Sequence, residues 1–283
     1  GGARTDGLRR TRTMSTDAQA ILANLQTVAK LRDRSAGDAA LAARVQAIKS
    51  YQHARFERTY ADLLADRRYE QAARFFLDEL YGPHDFTDRD TQFARVVPAL
   101  VRLFPSSVVH TVRSLAELHA LSEDLEATMG DALGGDARVV DAAGYTRAWR
   151  ACGRRTDRMH QVDLMHDIGM ALERFTRNAF LRHSLRMMRG PAQAAGLSSL
   201  QHFLETGFDA FRSMRGASEF LDTIAHKERA LAAMLFDQAD VADLTRPVVA
   251  FPWPAQVPVA NPAAGAGASK KPVSSSSGKA AKR

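Results

Sequence analysis

FFLDELYGPHDFTDRD, residues 75–90, is the stretch that decides how this chain is read. Two phenylalanines lead into Leu80-Tyr81-Gly82-Pro83, and Asp85, Asp88 and Asp90 follow at once. Such density suits either an active site or the corner between two helices. Upstream, Tyr69, Ala72, Ala73, Phe76 and Leu80 recur at helical spacing and form one inner face. Gly82 falls where that helix ends, at a position that often needs a left-handed residue, and Pro83 cannot continue a helix. Asp85 or Thr87 is placed to cap the next helix. Asp88 and Asp90 lie in its first turn, where the helix dipole favours negative charge. The stretch therefore reads as a corner between helices rather than as a catalytic centre.

The same periodicity extends in both directions. Helices are expected from Ser15 to Arg34, from Asp38 to about Ala65, from about Arg68 to the Gly82 corner, and from Asp88 to Phe104 with a kink at Pro98. A fifth, capped by Ser106 or Ser107, reaches Met129. After a loop at 130–136, further helices cover Val139–Gly153, Thr156–Phe175, Asn178–Met188, Ser199–Met214 and Ala217–Ala239. No alternating strand pattern stands out, and the Val-Val pairs, 139–140 included, fit helical faces. The fold class is all-α: a single multi-helix bundle of about nine helices spanning 14–243. Residues 1–13 are expected to be a disordered basic extension. Residues 244–283, rich in Pro, Ala, Gly and Ser, are expected to be a disordered tail.

Composition narrows the classes. The chain has 283 residues, 45% hydrophobic but only 7% aromatic, which favours helices over sheet. One cysteine, Cys152, excludes an internal disulfide and any multi-cysteine zinc site. No apolar run approaches the roughly 20 residues of a membrane helix, and a cytoplasmic location is expected. The net charge of +7 invites a nucleic-acid reading, but the ends carry it. Residues 1–13 contribute +3 and residues 244–283 contribute +6, leaving 29 bases against 31 acids in the body. A folded surface that binds duplex should carry its own basic face, so nucleic-acid binding is expected at most weakly and through the tails.

The run FFLDELYGPHDFTDRDTQFARVVPALVRLFP, with the later SLRMMRGPAQAAGLSSLQHFLETGFDAF, resembles a family of uncharacterised helical proteins from proteobacteria. The shared pattern, FFLxxLYGxxDFxxRD, lies within a match over roughly residues 70–235. The resemblance implies one helical domain and no particular activity.

Two sets of residues carry chemical interest. On a helical wheel, Glu228 lies in the apolar stripe of Phe220, Ile224, Leu231 and Leu235. His119 and Glu126 share the face of Leu115 and Leu118, and Glu79 lies between the directions of Phe75 and Phe76. Inward carboxylates and a histidine are how bundles hold di-iron or di-manganese, and buried carboxylates acquire raised pKa values. The paired Glu-x-x-His pattern of such centres is missing, however, and so are HExxH, phosphate-loop and nucleophile-elbow motifs. Core ion pairs explain the same residues, as they explain the strip His160, Asp163, Asp167 and Arg174. No cofactor is therefore expected, and a di-metal site is the alternative. The second set is Arg182, Arg186 and Arg189, one stripe on a basic helix, in a region where residues 147–189 hold ten arginines against four acids. Such a stripe suits phosphates or an acidic partner. The expected function is a non-enzymatic binding protein that contacts an anionic partner through this stripe and the basic tails. The alternative is a metalloenzyme or small-ligand-binding bundle using Glu79, His119, Glu126 and Glu228. Oligomeric state is not encoded legibly.

Overall fold

The longest helix with fully described side chains, α6 (Ser106–Leu133), organises the molecule. Its inner face alternates small residues, with Ala116, Ala120, Ala127 and Gly130 all buried, so neighbouring helices approach closely. A Cβ at Gly130 would meet Val45 Cγ2 at 2.8 Å, which explains why glycine occupies this point inside a helix. The computed structural model describes residues 2–80, 82, 84–135, 138–237 and 256–258, with side chains described within 16–237.

Around α6 pack α1 (Gly2–Ala36), α2 (Ala39–Thr59), α5 (Thr87–Leu103), α7 (Ala142–Cys152) and α8 (Arg155–Thr176). Short α3 (Ala61–Ala65) and α4 (Glu70–Phe75) follow α2, and α4 runs into a π-helical turn, Phe76–Leu80. Past α8 come α9 (Ala179–Met187), α10 (Arg189–Ala194), α11 (Ser198–Ser213) and α12 (Ser218–Asp237). The architecture is all-α, as the periodicity predicts. Three apolar clusters hold it. One joins α3, α4, α8, α11 and α12 around Phe76, Phe211 and Phe220. A second joins α2, α7 and α12 around Tyr51, Trp149 and Leu235. The third joins α1, α5 and α6 around Ile21, Val97 and Val109. Among the described residues no helix is long and apolar enough to cross a membrane.

The corner at 75–90 takes the expected form, with different reasons at two positions. The N-cap of α5 is Phe86 rather than Asp85 or Thr87; Asp85, just before it, accepts from the Thr87 backbone N–H at 2.9 Å, and Asp88 and Asp90 lie in the first turn. A Cβ on Gly82 would collide with the Asp78 carbonyl, so the close approach of that backbone requires glycine here. The helix before it ends in a π turn that sets Phe76 and Leu77 into the core.

Several expectations are corrected. The expected second helix breaks at Tyr60, the C-cap of α2. Gly130 belongs to α6, and the left-handed glycines that end it are Gly134 and Gly135, at φ +62° and +63°. Val139–Asp141 is not helical: it forms β1, antiparallel to β2 (Gln256–Pro258), with Val140 opposite Val257. Asp141 then caps α7, accepting from Gly144 N–H at 2.6 Å. Gly190-Pro191 opens α10 instead of stopping a helix, because a proline in a first turn gives up an N–H that has no intrahelical acceptor. The backbone of residues 2–13 is part of the α1 range. The expected disordered tail, 244–283, lies outside the described residues except for Gln256–Pro258.

Candidate functional site

Between α5, α6, α8 and α11 lies a cavity of about 220 Å³. Its walls are mainly apolar. Phe86 and Phe93 come from α5 and its approach, Leu115 and Leu118 from α6, Leu200 and Phe203 from α11. Leu80, the last residue of the π turn, also reaches it. The charged side chains that line it belong to two ion-pair systems or are two further arginines.

The first system runs along α6. His119 Nε2 lies 2.8 Å from Asp90 Oδ2, and the Arg32 Nη1 donates to that same oxygen at 2.8 Å. Arg32 Nη2 donates onward to Glu123 Oε1 at 2.9 Å. Lys49 then bridges Glu123, at 3.0 Å, and Glu126, at 3.2 Å. Four helices thus share one chain of alternating charge. Burial pushes the Asp90 carboxyl up, but the His119 hydrogen bond and the charges of His119, Arg32 and Arg89 hold it below its ordinary value. Glu123 is lowered in the same way: burial opposes, and Lys49 and Arg32 outweigh it. Glu126 goes the other way. Its burial dominates, the Glu123 charge adds to it, and Lys49 does not compensate, so its carboxyl is raised. The second system is local: Arg55 forks onto both oxygens of Glu228, and the Tyr60 hydroxyl donates to Glu228 Oε1 at 2.7 Å.

The two further arginines are matched less well. Arg89 lies between the rings of Phe86 and Phe203, at 4.1 and 4.4 Å, and donates to the Glu79 backbone carbonyl at 3.0 Å. Its nearest carboxylates, Glu79 and Asp90, stand at 3.8 Å. Arg158 is only 5% exposed and stacks on Trp149 at 3.9 Å. It donates to Gln161 Oε1 at 3.1 Å and to the Met129 thioether at 2.9 Å. Among the described residues no carboxylate forms an ion pair with it. Burial accordingly pulls both guanidiniums below their ordinary pKa.

His119, Glu126 and Glu228 line this one cavity; Glu79 does not, and its side chain turns toward Arg89. Among the described residues no three His, Cys, Asp or Glu side chains are placed to share a metal ion, and His119, Glu126 and Glu228 each already face a charged partner. The arginine stripe is largely spoken for: Arg182 pairs with Asp209 at 3.3 Å and Arg189 with Glu205 at 2.6 Å, both on α11. Of the strip on α8, His160 faces Glu117, Asp163 faces Arg229, and Asp167 lies 3.7 Å from His166, which itself faces Asp222.

The basic half of the site, Lys49, Arg55, Arg89 and Arg158, is not among the residues the helical wheels single out. The signal was present. Arg158, Val162, Met165 and Gly169 recur at heptad-like spacing on α8, and Ile48, Gln52, Arg55 and Thr59 do so on α2. Glu123 sits in the small-residue face of α6. A charge in the middle of such a face must be buried and matched.

Comparison with curated proteins finds no match, and comparison with solved structures finds none. A family model described as a domain of unknown function, DUF8198, matches residues 31–242, a span that takes in α2 to α12 and only the last residues of α1. The chain belongs to that family.

Proposed function

We propose that this protein binds a small, largely apolar molecule inside the cavity, acting as a carrier or sensor rather than as a catalyst. The observation that supports this is the cavity of about 220 Å³ between largely apolar helix faces. Protein interiors are otherwise close-packed, and an apolar cavity of about 150 Å³ already takes up benzene. By that scale the space suits a body of roughly nine heavy atoms. Binding is favoured over catalysis because the acid–base groups at the walls are committed to one another: His119 to Asp90, Glu123 and Glu126 to Lys49, Glu228 to Arg55. Ser122, the one lining hydroxyl on α6, donates to the Leu118 carbonyl and accepts from Gln161.

The test is calorimetric titration of the full chain with 1-octanol, alongside Val112→Phe, which adds a ring at the cavity wall. Saturable uptake by the wild type, lost in Val112→Phe while the helical circular dichroism persists, is the expected result. Uptake that survives the filling substitution would place the molecule elsewhere.

A second reading keeps an acidic partner at α9. That helix buries none of its residues and exposes Phe180 at 74% and Met187 at 66%. With Arg182 and Arg189 tied to α11, Arg186 and these apolar side chains would carry the contact. Arg186→Glu should then weaken retention on an immobilised acidic polypeptide in a chain lacking 244–283, which removes the tail's charge from the comparison.

A further inference from the structure

We infer that the molecule taken up by this cavity is a small carboxylate with an apolar body, its headgroup held by Arg158; the assignment rests on the cavity reading above. Charge matching leads to it. Every carboxylate at the wall has a cation in ion-pair contact: Asp90 has Arg32 and His119, Glu123 has Arg32 and Lys49, Glu126 has Lys49, and Glu228 has Arg55. Removing these pairs leaves Arg89 and Arg158. Arg89 retains two acids at 3.8 Å. Arg158 retains none among the described residues, although it is 95% removed from solvent by a 5% exposure.

Burying a guanidinium with no anion in contact is costly; Glu126 acts on it only from a distance, and its contacts are a ring face, an amide oxygen and a thioether. The arrangement becomes favourable when a carboxylate arrives, because a planar fork matches a carboxylate with two parallel hydrogen bonds. A second donor stands unused at the same wall. Trp149 lines the cavity at 7% exposure, and its Nε1 has no hydrogen-bond partner. Two buried donors short of acceptors, one cationic and one neutral, beside an apolar space call for an anionic oxygen pair attached to an apolar body. An alcohol would satisfy one donor and leave the charge unmatched. An ammonium would add a cation beside Arg158.

Three probes of equal chain length separate the possibilities: octanoate, 1-octanol and octylamine, each titrated into the full chain and into Arg158→Met. Octanoate is expected to bind at least about tenfold more tightly than either of the others. Arg158→Met should lower octanoate affinity about tenfold and leave 1-octanol within about threefold. The three-probe comparison needs no variant, so it stands even where a substitution fails to fold. Equal binding of octanoate and 1-octanol, or preference for octylamine, overturns the headgroup assignment while the cavity reading survives. Octanoate preference that persists in Arg158→Met overturns Arg158 as the anchor. If none of the three binds with Kd below about 1 mM, both this assignment and the cavity reading fall.

Discussion

Arg55 and Arg158 are both buried arginines, and their surroundings predict opposite responses to the same substitution. Arg55 forks onto Glu228, so Arg55→Met leaves a carboxylate with only the Tyr60 hydroxyl and should cost about 3–5 kcal/mol. In a domain of this size that is a fall in Tm on the order of 10 °C. Arg158→Met removes a cation that no carboxylate contacts and that Glu126 offsets only from a distance, so the empty protein should stay within about 1 kcal/mol of wild type or gain stability. Paired thermal melts check both; a large loss in the Arg158 variant would make that residue structural. The carboxyls differ in sign as well. Asp90 and Glu123 sit below their ordinary pKa, so their contribution is full above the unfolded value and is lost as pH falls through the folded one. Glu126 sits above its ordinary value of 4.5, so its ionisation costs stability at neutral pH and that cost vanishes as pH falls toward 4.5. Glu126→Gln should therefore be more stable than wild type at pH 7, with the advantage fading near pH 4.5, as measured by urea denaturation at each pH. His119, Glu126 and Glu228 were legible as inward groups because an acid or histidine in an apolar stripe is conspicuous. Arg158 was not, since a long basic side chain at the same position usually carries its charge out to water.

At the scale of elements, close contacts between helices fix where glycine is required. A Cβ on Gly169 of α8 would collide with Leu221 of α12, and one on Gly207 of α11 would meet Phe75 Cζ at 2.8 Å. Alanine is the better helix former by about 1 kcal/mol, yet overpacking outweighs it. Gly169→Ala is expected to lose about 1–2 kcal/mol in chemical denaturation; a stabilised variant would mean that α8 and α12 are packed less tightly than described. Most helices could be read from periodicity because their apolar stripes are local. The misread positions depended on something distant or on a local rule with two outcomes. The β1 strand pairs with residues more than a hundred positions away, which no window around Val139 and Val140 contains. Gly190-Pro191 is a stop at a helix end and an acceptable first turn at a helix start, and only the packing of α10 against α11 selects between them.

At the scale of the molecule, the sequence identifies a near-neutral helical body with basic ends, and the helical body is what the structure contains. It does not identify which helices meet. Arg55 and Glu228 are 173 positions apart and Arg32 and Glu123 are 91 apart, so the pairs that surround the cavity exist only after the bundle closes. The cavity is itself a property of that closure: its walls come from α1, α2, α5, α6, α7, α8, α11 and α12. The most direct test of the account is NMR of the full chain with octanoate, read through nuclear Overhauser contacts between ligand methylenes and protein methyls. The account predicts contacts to Leu115, Leu118, Val162 and Leu200, which line the cavity. Contacts confined to exposed apolar residues such as Leu103 and Met187, or no contacts at all, would contradict it.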